Sequence, residues 1–161
     1  MSSECQMRPA IVKWLADMGH LPVFEVHVNR YHPCDIAGVK FDERLGRSIP
    51  ELKSLIAIEL KLFRVADVIQ QASRNAACAT CSYAAMPKST CDLFTLKTVR
   101  RFEEAGIGLL SVDVDGGFVF EEVVEPQVNR EPICDRLRKN LWRRRNEPVR
   151  GPKKFVREVT P

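Results

Sequence analysis

The chain has 161 residues, of which 45% are hydrophobic, 29% charged and 7% aromatic, the length of one domain and a composition that excludes a disordered, collagen-like or coiled-coil protein. No apolar run approaches the roughly 20 residues of a membrane span, and residues 1–10 lack the basic start and apolar stretch of a secretory signal, so the expected compartment is the cytoplasm, where the six cysteines stay reduced. The net charge of +4 conceals a segregation: residues 130–161 hold eleven Lys/Arg against four Asp/Glu while the rest is net negative, so attraction to a polyanion, nucleic acid above all, is a property of the tail.

In chain order, Ser3 and Gln6 have capping-box spacing ahead of Ile11, Trp14, Leu15 and Met18, the pattern of a short amphipathic helix ending at Gly19. Leu21–Asn29 alternates Phe24, Val26 and Val28 with Glu25 and His27, as a half-polar strand does. A second strand is expected over Cys34–Lys40, then a loop through Phe41–Glu51, then the most apolar strand, Leu52–Leu62, which belongs at the sheet centre. Val65, Val68, Ile69, Ala72 and Ala76 predict a helix over Arg64–Ala77. A strand over Cys81–Met86 ends at Pro87, and Ser89 or Thr90 caps a helix through about Glu104 with Leu93, Leu96, Val99 and Phe102 inward and Gly106 at its end. Ile107–Val112 and Phe118–Val124 form a hairpin around Asp115-Gly116-Gly117. Together these elements predict an α/β domain over residues 1–126, a central mixed sheet flanked by helices. Residues 127–161 form a basic C-terminal extension, in which Asp135–Arg145 can be helical with Leu137 and Leu141 on one side.

Chemistry concentrates where the central strand reads Ile56-Ala57-Ile58-Glu59-Leu60-Lys61-Leu62. Residues two apart on a strand share a face, and burying an isolated charge is costly, so Glu59 and Lys61 must pair, meet water or hold a metal. Pairing with each other is the plain structural explanation. Asp35, on the preceding strand, supplies a second carboxylate 24 residues upstream. Two hard oxygen ligands suit Mg²⁺ or Mn²⁺, and an adjacent ammonium suits a phosphate.

Asp35, Glu59-x-Lys61 and a following helix with Gln71 resemble the PD-(D/E)XK nuclease superfamily, the restriction-endonuclease-like fold. Trp14-Leu15, Glu25-Val26, Asp35-Ile36, the strand Ala57–Leu62, Gln71-Ala72-Ser73-Arg74-Asn75 and Ser82–Pro87 occur in the family's order over about residues 8–126. The triplet E-x-K alone is a weak pattern, and its strand context, upstream Asp and downstream helix strengthen it. The resemblance implies that Asp35 and Glu59 ligate Mg²⁺ or Mn²⁺, with the Leu60 carbonyl completing the protein shell, and that Lys61 serves the attacking water. It also implies phosphodiester hydrolysis that leaves a 5′-phosphate, with Glu25 as an outer metal ligand or acceptor and Gln71 as a catalytic residue orienting water or contacting the backbone. Cys34 precedes Asp35 and Pro33 stands one place earlier, so the literal Pro-Asp pair is absent while the chemical residues are kept.

Arg74, on the helix with Gln71, and Arg143, Arg144 and Arg145, beside Trp142, are the expected nucleic-acid contacts, Lys153 and Lys154 adding charge. His27 and His32 read as ordinary polar residues, and Asn75, beside Arg74, as a residue that either reaches phosphate or is solvated surface. Cys78-x-x-Cys81 lacks the second matched pair of a zinc site, and no four-cysteine arrangement for an iron–sulfur cluster is identifiable. The expected function is a Mg²⁺-dependent endo- or exonuclease acting on nucleic acid, DNA rather than RNA. A noncatalytic nucleic-acid-binding or assembly module of the same fold is the alternative. Oligomeric state is left open, although compact nucleases that cut both strands often work as homodimers.

Overall fold

The computed structural model describes residues 3–42 and 49–146. The protein is α/β, with one six-stranded mixed sheet flanked by helices. A 3₁₀ turn, Glu4–Met7, leads into α1, Arg8–Asp17. The Gln6 side chain accepts from the Ser3 amide at 3.3 Å, the predicted reach-back of the capping box. Gly19 ends the helix at φ +78°, a left-handed conformation open to glycine at little cost.

The strands are β1 (Leu21–Val26), β2 (Cys34–Asp42), β3 (Glu51–Leu60), β4 (Cys81–Pro87), β5 (Gly108–Asp113) and β6 (Phe118–Val124), ordered in space as in sequence. β2 is antiparallel to β1 and β3, β4 is parallel to β3 and β5, and β6 is antiparallel to β5. Parallel neighbours need crossovers. Accordingly α2 (Val65–Ala76) links β3 to β4, and α3 (Lys88–Cys91) with α4 (Leu96–Ala105) links β4 to β5. Alternation along β3 sorts its apolar residues between two cores. Ile56, Ile58 and Leu60 join Ile11 and Leu15 on the α1 side. Leu55 and Ala57 face the other side, where α5 (Asp135–Arg144) is seated through Leu137 and Leu141. Covered on both faces, β3 is an interior strand, as its apolar run predicts.

Three sequence expectations change. The strand expected over Leu21–Asn29 ends at Val26, and Phe24 packs on the α1 side while Val26 and Val28 pack on the other, because Glu25 takes a φ of +49° and breaks the alternation. The helix expected from Ser89 or Thr90 to Glu104 is interrupted: the Thr95 hydroxyl caps α4 afresh by accepting from the Thr98 amide. The interruption resets the helical phase, so Leu93 and Leu96 are 82% and 79% exposed, while Val99 and Phe102 pack inward as predicted. The segment after Pro126 is also tied to the fold. Gln127 N donates to Gly106 O and Asn129 N to Thr80 O. The Trp142 ring meets Phe41 edge-on with centroids 4.9 Å apart, and Arg138 donates to the carbonyls of Ile49 and Pro50. Lys153, Lys154 and the charge beyond residue 146 lie outside the described residues, as do residues 43–48 of the predicted loop.

Leu141 is fully buried against the sheet, so Leu141→Ala should cost about 2–5 kcal/mol in urea unfolding. An extension independent of the domain would leave the midpoint unchanged.

Candidate active site

The pairing of β2 with β3 brings the two predicted carboxylates together. Ile36 lies opposite Ile58, and one further antiparallel step sets Asp35 against Glu59. Leu60 N donates to Asp35 Oδ2 at 2.8 Å, which fastens that carboxylate to the end of β3. Glu59 is only 2% exposed. Its Oε1 accepts from Asn75 Nδ2 at 2.7 Å and lies 3.5 Å from His32 Nδ1. Asn75, fully buried, accepts in turn from Asn29 Nδ2 at 2.5 Å. Asn29 Oδ1 then accepts from the amides of Tyr31 and His32, closing the turn that leads into β2.

Burial, first, and the negative charge of Asp35, second, push the Glu59 carboxyl up to about 8, against the pull of the Asn75 hydrogen bond; a hydrogen bond with Asp35 raises it further and the Lys61 charge lowers it. Burial and the neighbouring Asp35 charge thus favour the neutral form of the Glu59 carboxyl. Lys61 follows the last residue of β3. Its amide donates to Ala85 O at 3.1 Å, and its Nζ lies 3.9 Å from Glu4 Oε1. Burial raises the Glu4 carboxyl, Lys61 opposes that shift and Asp35 adds to it, so the 3₁₀ turn before α1 brings a third carboxylate into the field of this cluster.

Asp35, Glu59 and Lys61 thus meet at one end of the sheet, and the other predicted residues are distributed around them. Gln71 is half-buried one turn before Asn75 on the same side of α2, and its side chain makes no hydrogen bond among the described residues. Glu25 is half-exposed, and its carboxylate pairs with Arg8 Nη2 at 3.4 Å; it makes no hydrogen bond or ion pair with Asp35, Glu59 or Lys61. Arg74 lies over the Tyr31 ring at 4.9 Å. Of the arginine run, Arg143 donates to Asn140 and Arg145 covers the Trp142 ring at 3.3 Å. Arg144 donates to the Phe24 and Glu25 carbonyls, so its guanidinium holds the backbone where Glu25 takes a φ of +49°, a conformation uncommon outside glycine.

Sequence reasoning missed Glu4, Asn29, His32 and Asn75. Asn75 alone carried a signal, since it stands four residues after Gln71 on one helix face. His32 and Asn29 belong to a turn without periodicity, and Glu4 is set in place only by the docking of α1.

Among the described residues, no group of three or more His, Cys, Asp or Glu is spaced to hold a metal ion. The pair Asp35 and Glu59 nevertheless suits Mg²⁺ or Mn²⁺, because Mg²⁺ keeps several waters and is commonly held by one or two carboxylates plus substrate phosphate. The crowding of charge that holds a proton on Glu59 is what a divalent cation would relieve. His32 Nε2 is buried there without a hydrogen-bond partner.

No protein-family model matches the chain, and no curated protein matches it. A solved structure of a protein of unknown function from Silicibacter pomeroyi superposes with a TM-score of 0.57 at 18% identity, covering 90% of this chain and 84% of that one. At that identity the likeness shows a shared fold and nothing of the chemistry.

The proton on Glu59 has a consequence for stability. The folded carboxyl keeps it to about pH 8, whereas the ordinary value is 4.5, so the folded state binds the extra proton and stability falls as pH rises across that window. Urea unfolding of wild type should show this loss and Glu59→Gln should not. Parallel losses in both proteins would place the proton elsewhere.

Proposed function

We propose that this protein is a metal-dependent nuclease of the restriction-endonuclease-like fold, hydrolysing phosphodiester bonds in nucleic acid, DNA foremost. The observation that carries this reading is the approach of Asp35 and Glu59 at the end of β3 with Lys61 immediately beyond, the three residue types that the PD-(D/E)XK resemblance assigns to the chemistry. The mixed sheet is compatible with that fold. Supporting contacts hold the two carboxylates in place: Leu60 N fixes Asp35, and Asn75 fixes Glu59. Such fixed geometry is what positioning a reacting phosphate requires.

Mg²⁺ or Mn²⁺ between Asp35 and Glu59 would stabilise charge on the phosphate and make water a better nucleophile at neutral pH. Lys61 places its ammonium at the same end of the sheet, where it holds the attacking water and offsets negative charge building on the phosphoryl oxygens. Gln71, on the side of α2 that carries Asn75, lines up the water or the neighbouring phosphate. Water adds to phosphorus and the bond to the 3′ oxygen breaks, leaving a 5′-phosphate and a 3′-hydroxyl.

One observation favours the noncatalytic module as a second reading: Lys61 already has a carboxylate neighbour, Glu4, at 3.9 Å, and a structural ion pair needs no substrate. A cleavage assay separates the two. Labelled single-stranded, duplex and branched DNA, and RNA, are incubated with Mg²⁺ or Mn²⁺ and with EDTA. Wild type should cleave only with metal, and Lys61→Ala and Asp35→Ala should each lose about a hundredfold or more in rate while remaining folded. Binding without cleavage under every condition would establish the module.

Metal should also register in stability. At about pH 8, Mg²⁺ should raise the melting temperature of wild type and leave that of an Asp35→Asn, Glu59→Gln double variant unchanged. Equal shifts in the two proteins would move the ion to another site.

A further inference from the structure

A cavity of about 870 Å³ opens between the turn after β1 and helix α5. Arg30 stands on one wall and Arg136, Lys139 and Arg143 on the other, and among the described residues no Asp or Glu lines it. Among the described residues, none of these four cations is within ion-pair distance of a carboxylate. A concentration of like charge with no internal counter-charge costs stability through repulsion, and a polyanion is the chemistry that relieves it.

A short chain of buried hydrogen bonds ties the wall of the cavity to the candidate site. Asn29, in its lining, donates to Asn75, and Asn75 holds Glu59. Tyr31, next to Arg30, is 60% exposed. The Arg30 guanidinium lies 5.1 Å from the Tyr31 ring centre and donates to its hydroxyl at 3.0 Å, and Arg74 of α2 approaches the same ring at 4.9 Å. An exposed ring flanked by two arginines thus stands between the basic cavity and the helix that supports Glu59. Basic grooves interleaved with aromatic rings bind single-stranded nucleic acid, because phosphates meet the cations and every base has a face to stack. The volume is that of a pocket for a drug-sized ligand, which admits a few nucleotides of one strand.

We propose that this groove receives a single polynucleotide strand running on from the site at Asp35 and Glu59, with Tyr31 as the stacking surface between them. The assignment rests on the nuclease reading for the direction of the strand, and on the groove itself for its affinity. It makes the substrate one with a single-stranded segment next to the cleaved bond.

The test measures binding by the full chain of a labelled oligothymidylate and of a blunt duplex of equal length, in EDTA so that nothing is cut, across a range of salt. An Arg136→Ala, Lys139→Ala double variant should bind the single strand roughly 10–30-fold more weakly at about 0.1 M salt and lower the slope of log K against log salt by about 1.4. Tyr31→Ala should lose about fivefold or more with the slope unchanged. The duplex should bind wild type more weakly and respond to none of these changes. Circular dichroism and melting establish that the variants fold, since all three positions are exposed.

Unchanged affinity and slope in folded variants would overturn the groove, as would equal losses on the duplex or displacement of the strand by polyglutamate at equal charge. Failure of the nuclease reading looks different. If wild type cleaves with Mg²⁺ while the variants bind the single strand normally, the groove is wrong and the nuclease stands. If the variants lose single-strand binding while no metal brings cleavage in wild type, the groove stands and the chemistry falls.

Discussion

The feature on which the rest depends is a carboxylate, Glu59, buried at the end of a strand that is covered on both faces. An isolated buried charge is expensive enough to unfold a domain of this size, and the molecule answers in three ways. Asn75 donates a hydrogen bond from α2, His32 comes within 3.5 Å, and the site retains a proton to about pH 8. What it does not do is remove the second carboxylate: Asp35 is held against β3 by the Leu60 amide, where it makes the electrostatics worse. A fold selected for stability alone has no reason to keep both. Crowded like charges are a common mark of a functional site, and the pair sits where four elements converge.

Around that pair, rigidity is built from polar side chains rather than apolar packing. Asn29 and Asn75 form a relay from the turn before β2 to α2, so the position of Glu59 depends on residues from three separate parts of the chain. On the neighbouring edge, the last turn of α5 reaches back to β1, where Arg144 holds the carbonyls beside the positive φ of Glu25. Strained backbone persists where its surroundings over-determine it, and Arg144 supplies two such restraints. The C-terminal helix is therefore at once a structural brace, through Leu137, Leu141 and Arg144, and a bank of cations along the groove, through Arg136, Lys139 and Arg143.

Much of the architecture was legible because it is local. The apolar run of β3 and the turn at Asp115-Gly116-Gly117 each report a conformation decided within a few residues. The expectations failed where a local pattern had two solutions. Leu93 and Leu96 fit a helical stripe continuous with Phe102, but the hydroxyl of Thr95 starts a new helix and rotates them into solvent. The three adjacent arginines near the C-terminus look equivalent in sequence. Folded, one lines the groove, one braces β1 and one lies on Trp142, because successive helical residues point about 100° apart.

By itself the sequence determined the class of the fold, the strand that carries Glu59 with Lys61 just beyond it, and the approach of Asp35 to Glu59 from the neighbouring strand, since interrupted hydrophobic periodicity marks the places where a charge must be accounted for. Only the tertiary structure decided how it is accounted for. Asn75 reaches Glu59 across 16 residues of chain and Asn29 reaches Asn75 across 46, while Glu4 approaches Lys61 from the far end of the domain. Periodicity records which face a residue presents and carries no information about which distant residue meets it there. That choice belongs to strand register and helix docking, which depend on the packing of the whole core.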